Sequence, residues 1–210
     1  MTIIFPESPS PLIGFGIKRD AKAVSATDNR SESPEEAGFT VRPASQPDAR
    51  TIARIYNHHV DIGGATFDNV HWSEAHVRTF VSAAAPEFWL VADAGAGGII
   101  GWASARWYSL RHGYRFTLEP AMYLDPTSMG RGVAESLQRQ LEQLCREHGI
   151  HHLVAKITAD NRRSLAFHDR HGYELVGIQK EVGQMEGEWK DVAILQKLLQ
   201  RRCSTSALSS

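Results

Sequence analysis

Between Phe116 and Leu137 the chain reads FTLEPAMYLDPTSMGRGVAESL, the stretch that most restricts what can fold around it. An apolar strand carrying one carboxylate, Glu119, runs into Asp125-Pro126, then a turn spaced by Gly130 and Gly132, then a helix. The first backbone N–H groups of a helix lack internal partners, and the helix dipole adds partial positive charge there, so the turn is a natural anion seat. Glycines let the backbone approach such a ligand closely. A strand feeding a helix in this way needs a sheet beside the strand and a face on which the helix packs.

The flanking periodicities supply both. Phe39-Thr40-Val41-Arg42 reads as a strand, followed by Ser45 as helix N-cap with Asp48 three residues on. Ile52, Ile55, Tyr56 and His59 line one helical face. A loop from Asp61 to Asn69 leads to a second helix, capped by Ser73 and ended by Pro86. Phe88 to Ala92 and Ile99 to Trp107 form an antiparallel hairpin through Gly95 to Gly98. After the central strand Phe116 to Leu124, a helix from Gly132 carries Leu137, Leu141 and Leu144 on one face and stops at His148-Gly149. Leu153 to Ile157 is a strand, Ser164 to Arg170 a short helix ending at Gly172, and Tyr173 to Val182 and Trp189 to Leu198 are the last strands. The order βααβββαβαββ predicts an α/β (α+β) fold, a mixed sheet with helices on it. Pro120 breaks the pattern of a central strand because it cannot donate to a ladder, so a bulge or splay is expected there.

One ordered domain is expected over residues 39–200. Residues 1–38 are rich in Ser, Pro, Glu and Asp with no sustained period and read as a disordered extension, and residues 201–210 as a loose tail. Lys+Arg 23 against Asp+Glu 24 argues against a general electrostatic hold on nucleic acid or an anionic membrane. Cys145 and Cys203 lie far apart, which suggests neither a disulfide framework nor a zinc site. His58, His59, His148, His151, His152 and His171 show no HExxH spacing, so no metal is expected. No apolar run approaches the roughly 20 residues of a membrane helix, and the expectation is a cytoplasmic protein with no membrane association.

Four pieces, in this order and spacing, carry a resemblance: Ile55-Tyr56-Asn57-His58 with Ala65-Thr66-Phe67; Glu119 to Leu124; Asn161 with Ser164, His168, Gly172 and Tyr173; and Gly187-Glu188-Trp189-Lys190-Asp191-Val192. Together they span about residues 39–199 and resemble the GNAT superfamily of acyl-CoA N-acyltransferases, more narrowly the phosphinothricin N-acetyltransferase family. The resemblance implies a mostly antiparallel, splayed sheet flanked by helices, acetyl-CoA as co-substrate, a small amine acceptor and a homodimer. Within the superfamily's six-residue turn pattern, here Met129, Gly130, Arg131, Gly132, Val133 and Ala134, the polar first residue is replaced by Met129.

Acetyl transfer needs a neutral nitrogen, whereas a free α-amino group with a pKa of about 7.7–8.0 is mostly protonated at pH 7. Glu119, among Leu118, Pro120, Ala121 and Met122, is expected to be partly desolvated, which raises a carboxylate toward a useful range. From the residues alone it serves equally well as a base or as a strand-end carboxylate paired with Arg115 or Arg106. The resemblance makes it the base and makes His168 the second catalytic candidate, a proton shuttle near neutral pH. The bland alternative for His168 is a packing residue among ten histidines. The resemblance further implies backbone N–H groups of Met122, Tyr123 and Leu124 as oxyanion donors and pantetheine partners, Gly130, Arg131, Gly132, Val133 and Ala134 as pyrophosphate cradle, and Asn161 as a hold on the pantetheine. Phe67, Trp107, Arg111 and Tyr114 would select the acceptor, with Arg111 and Tyr114 facing an anionic head. Two rivals are a different acceptor, such as a protein N-terminus, and a non-catalytic acyl-CoA-binding domain.

Overall fold

The structure, a computed structural model, describes residues 38–199. The expected extension before Gly38 and the tail after Leu199 lie outside the described residues. The elements follow the order read from the sequence: β1 (Thr40–Pro43), α1 (Ala49–Ile62), α2 (Glu74–Val81), β2 (Phe88–Asp93), β3 (Ile99–Trp107), β4 (Thr117–Leu124), α3 (Val133–Glu147), β5 (His152–Thr158), α4 (Arg162–Arg170), β6 (Glu174–Met185) and β7 (Glu188–Leu198). They make one sheet of seven strands in the order β1-β2-β3-β4-β5-β7-β6, antiparallel except for β4 against β5.

Local chemistry explains the ends of these elements. Ahead of α1, the Asp48 carboxylate accepts from the Ser45 N–H at 2.8 Å and from its hydroxyl at 2.7 Å, closing a short 3-10 turn onto the helix. Ser73 Oγ accepts the His76 N–H at 3.1 Å, but α2 stops at Val81, short of Pro86. There the Ser82 hydroxyl turns back to the Arg78 carbonyl at 2.9 Å, offering the backbone an alternative to another turn. Asn161 Oδ1 caps the Ser164 N–H at 3.0 Å, so α4 begins two residues before Ser164.

Alternation along the strands builds two cores. Leu90, Ala103, Leu118, Leu153, Ala155 and Leu195 meet Leu137, Leu141 and Cys145 of α3 on one face. On the other, Val91 and Trp102 meet Ile52 and Ile55 of α1 and Val77 of α2. The parallel pair β4–β5 is registered only at Thr117↔His152 and Leu118↔Leu153. Beyond Leu118 the two strands diverge, and the sheet is splayed at the place where Pro120 stands.

Candidate active site

The hydrogen bonds at the two ends of β4 set the direction of every peptide between them. Asp125 N–H donates to the Ile100 carbonyl at 3.0 Å, and Tyr108 N–H to the Thr117 carbonyl at 3.3 Å, so the odd-numbered residues of β4 bond to β3. The Phe116 carbonyl faces the other way and accepts the N–H groups of His151 and His152, each at 3.0 Å. By the same alternation, Met122 and Leu124 turn their N–H groups into the gap, while the Tyr123 N–H is directed at β3. The expectation that all three peptides face a ligand is thus corrected to two. Pro120 belongs to the gap-facing set, so its missing N–H takes nothing from the β3 ladder. His59, on α1, donates from Nε2 to the gap-facing Leu124 carbonyl at 2.9 Å.

At the end of β4, Asp125 Oδ1 accepts from the Thr127 N–H at 3.1 Å and from its hydroxyl at 2.7 Å, and Asp125 pairs with Arg54 at 3.0 Å. These contacts hold its carboxyl below the ordinary range, the Thr127 hydroxyl contributing most. Gly130 and Gly132 then take positive φ values of +76° and +72°, and a Cβ at either would meet no atom within 4 Å. Gly132 caps α3, the Val133 side chain sinks into the core and the Arg131 side chain stays exposed. The Arg163 guanidinium, from α4, reaches across to the Met129 sulfur at 2.8 Å. A cation therefore stands at the turn where the sequence has lost a polar side chain.

Glu119 stands at the mouth of the gap, and His168 on the opposite face of the sheet. Glu119 shares the α1–α2 face with Tyr123, whose ring meets Tyr56 edge-on at 4.9 Å. Its carboxylate is neither shielded nor paired with Arg115 or Arg106: it accepts from Lys156 Nζ at 2.6 Å and its side chain is 34% exposed. Arg106 lies directly across the ladder, but its guanidinium stacks over Phe80 at 4.3 Å, and Arg115 stacks over Phe116 at 4.3 Å. Lys156 also stands 5.4 Å over the Tyr108 ring, and Tyr114 meets Tyr108 edge-on at 5.5 Å.

His168 lies on the α3 face, its ring edge-on to Tyr173 at 4.8 Å. Its Nδ1–H donates to the Ser164 carbonyl at 2.8 Å, which leaves Nε2 as the acceptor. Burial holds the imidazole below its ordinary pKa, favouring this neutral, proton-accepting form. Tyr173, 3% exposed, takes the Gln138 amide at 3.1 Å on its hydroxyl, and burial drives that phenol above its ordinary range, so it is a core residue and no ready donor. Asn161 spends its side-chain oxygen on the α4 cap, leaving its NH2 group for any other partner.

The residues expected to select an acceptor separate. Phe67, on the loop after α1, lies against Gly183 of β6 so closely that a Cβ there would come within 2.5 Å of its ring. Arg111 and Tyr114 are exposed on the loop before β4. Trp107 instead packs into the α3-side core, because it follows Ala103 and Ala105 in the alternation of β3, and does not share the Glu119 face. Near the end of β5 a cleft of about 230 Å³ opens between Gly63, Gly64, Asp160, Glu186 and Lys190. Among the described residues no three His, Cys, Asp or Glu side chains converge as metal ligands.

The acetyltransferase (GNAT) domain family matches residues 41–194. The chain belongs to that family. Among curated proteins, this GNAT chain is 34% identical over 165 residues to a phosphinothricin N-acetyltransferase of Alcaligenes faecalis, covering 76% of this chain and 82% of that one. It is 31% identical over 159 residues to an L-methionine sulfoximine/L-methionine sulfone acetyltransferase of Pseudomonas paraeruginosa, covering 75% and 92%. Its fold matches a GNAT superfamily phosphinothricin acetyltransferase of Sinorhizobium meliloti, solved in complex with acetyl-CoA, with TM-score 0.72 and 32% identity over 77% of this chain and 88% of that one. The mixed, splayed GNAT sheet anticipated from the four motif pieces is what the chain forms.

Sequence reading missed Lys156, Tyr108, Arg163 and His59 at this GNAT gap. A signal existed for Lys156, a charged residue inside the apolar run LVAKIT. For Arg163 there was none beyond a common helix-start cation.

Proposed function

We propose that the protein moves the acetyl group of acetyl-CoA to the amino nitrogen of a small amino-acid-like acceptor of the phosphinothricin or methionine sulfoximine kind, using an acyltransferase domain over residues 39–200. One observation carries the reading: the gap beside β4 receives the N–H groups of Met122 and Leu124, with the Glu119 carboxylate at its mouth on one face of the sheet and the His168 imidazole on the other face. An extended pantetheine fits such a gap as an added strand, with its diphosphate on the open turn at Gly130 to Ala134 and beside Arg163.

Glu119, directly or through a water, takes one proton from the acceptor's ammonium. The freed nitrogen attacks the thioester carbonyl, whose oxygen gains charge and is met by a backbone N–H facing the gap. The new C–N bond forms, the nitrogen gives up its second proton to His168 Nε2, the C–S bond breaks, and His168 passes that proton to the departing thiolate, which leaves as the thiol. Acetylated amine and free CoA are the products.

The test is CoA-thiol release with acetyl-CoA and a panel of phosphinothricin, methionine sulfoximine, ordinary amino acids and N-terminal peptides. Turnover of the amino-acid analogues is expected. Turnover of peptides alone would overturn the small acceptor, and protection by acetyl-CoA against heat with no thiol release would favour the binding-domain alternative. In the same assay Arg163→Ala is expected to raise KM for acetyl-CoA roughly 10-fold or more, the loss of one charge-assisted contact, with kcat little changed. An unchanged KM would remove Arg163 from the diphosphate seat.

A homodimer is proposed from the sheet's edge. Leu175 and Val176 are each 60% exposed on β6, with Ile178 and Val182 also open, and an apolar edge that no strand among the described residues covers invites a second copy. Light scattering at a monomer mass across micromolar concentrations would refute it. A reducing cytoplasm suits the two widely spaced cysteines.

A further inference from the structure

We propose that Glu119 and Lys156 together form a receptor for a zwitterion, so that the acceptor's own anion frees the base that deprotonates its amine. This rests on the acetyl-transfer reading above and deepens it by assigning a specificity role to Lys156.

The geometry has three parts. First, the pair bridges the mouth of the splay: Glu119 stands one residue past the last β4–β5 register pair, and Lys156 reaches back to it from three residues past that pair on β5. Both lie on the face opposite α3, where Tyr108, Tyr123 and Phe67 stand. Second, the pair is open, with side chains 44% and 34% exposed, and an ion pair so wetted contributes little, so new partners exchange into it at small cost. Third, three neighbouring cations are otherwise engaged, Arg106 on Phe80, Arg115 on Phe116, and Lys190 with Asp160 at 3.2 Å and Glu188 at 2.9 Å, whereas Arg111 is exposed on the loop before β4.

An α-amino acid carries an ammonium and a carboxylate one carbon apart, the charge complement of adjacent Glu119 and Lys156. Its ammonium replaces Lys156 on Glu119 while its carboxylate replaces Glu119 on Lys156, and each charge keeps an opposite partner. The exchange also frees the base. With Lys156 held by the ligand's anion, the Glu119 oxygen that accepts Lys156 Nζ is open to the ligand's ammonium. An amine without an anion must compete with Lys156 for that oxygen.

The test compares methionine sulfoximine with its carboxamide in wild type, Lys156→Met and Lys156→Arg. Wild type is expected to favour the acid by about 10- to 100-fold in kcat/KM, the range of one charged hydrogen bond. Lys156→Met is expected to erase most of that preference by raising KM for the acid relative to the amide, and Lys156→Arg to restore it in part. A Lys156→Met enzyme that slows both compounds by the same factor, or keeps the preference, overturns the receptor. So does a wild type that uses acid and amide equally. A wild type that releases no thiol with any amine overturns the acetyl-transfer reading itself, and the receptor with it.

Discussion

Replacing Glu119 by Gln is expected to lower kcat at neutral pH by roughly 10²- to 10⁴-fold while leaving acetyl-CoA binding in place. The amide matches the carboxylate in size but accepts no proton, and at neutral pH most of the acceptor amine arrives protonated. In the proposed reading the acyl donor is met by the main chain at Met122 and Leu124 and by the turn before α3, not by the Glu119 side chain. A titration of acetyl-CoA binding beside steady-state kinetics separates the two. Raising the pH supplies more free amine and should recover part of the variant's rate. An unaffected rate at neutral pH would remove Glu119 from the mechanism, and lost acetyl-CoA binding would make its role structural.

The second large effect concerns what holds α3. Glu142 lies on the inner side of that helix with its side chain 7% exposed, and it receives Lys197 at 2.6 Å, Arg146 at 2.7 Å and the Gln138 amide at 2.9 Å. Burial pushes its carboxyl up, yet the bonds from Lys197 and Gln138 outweigh burial and leave it below the ordinary range. Lys197→Met keeps the volume but leaves the buried carboxylate with Arg146 and Gln138 alone, the loss of one charged hydrogen bond, which costs about 1.5–3 kcal/mol. For a chain of this size that is a fall in Tm of roughly 3–12 °C, read by circular dichroism at pH 7. The pH dependence has a definite sign. A depressed carboxyl contributes stability above the unfolded value of about 4.3, and that contribution is lost as pH falls through the lower folded value. The gap between wild type and Lys197→Met should therefore narrow on acidification below about pH 4. A Tm within about 2 °C of wild type at pH 7 would show that the Lys197 contact contributes nothing to the fold.

Much of the architecture is written in local pattern. Period-2 and period-3.6 runs, with Ser45, Ser73, Gly149 and Gly172 at element ends, were enough to order eleven elements, because each depends on residues within a few positions of one another. Where a boundary moved, at Val81 and Arg162, a side chain had bonded back to the main chain, Ser82 in one case and Asn161 in the other. The gap itself was foreshadowed by Pro120, a residue a continuous central strand does not tolerate.

The sequence by itself determined the strand–turn–helix unit from Phe116 to Leu137, the carboxylate at Glu119 and the position of His168 on a short helix, all features of single segments. Only the tertiary structure decided that Lys156 and neither arginine holds Glu119, that Glu119 and His168 stand on opposite faces, that Met122 and Leu124 but not Tyr123 offer N–H groups to the gap, and that Trp107 is core. Each of these turns on which strands are neighbours and where their pairing stops. Lys156 is 37 residues from Glu119 along the chain, and the two meet because β4 and β5 lie side by side and then part.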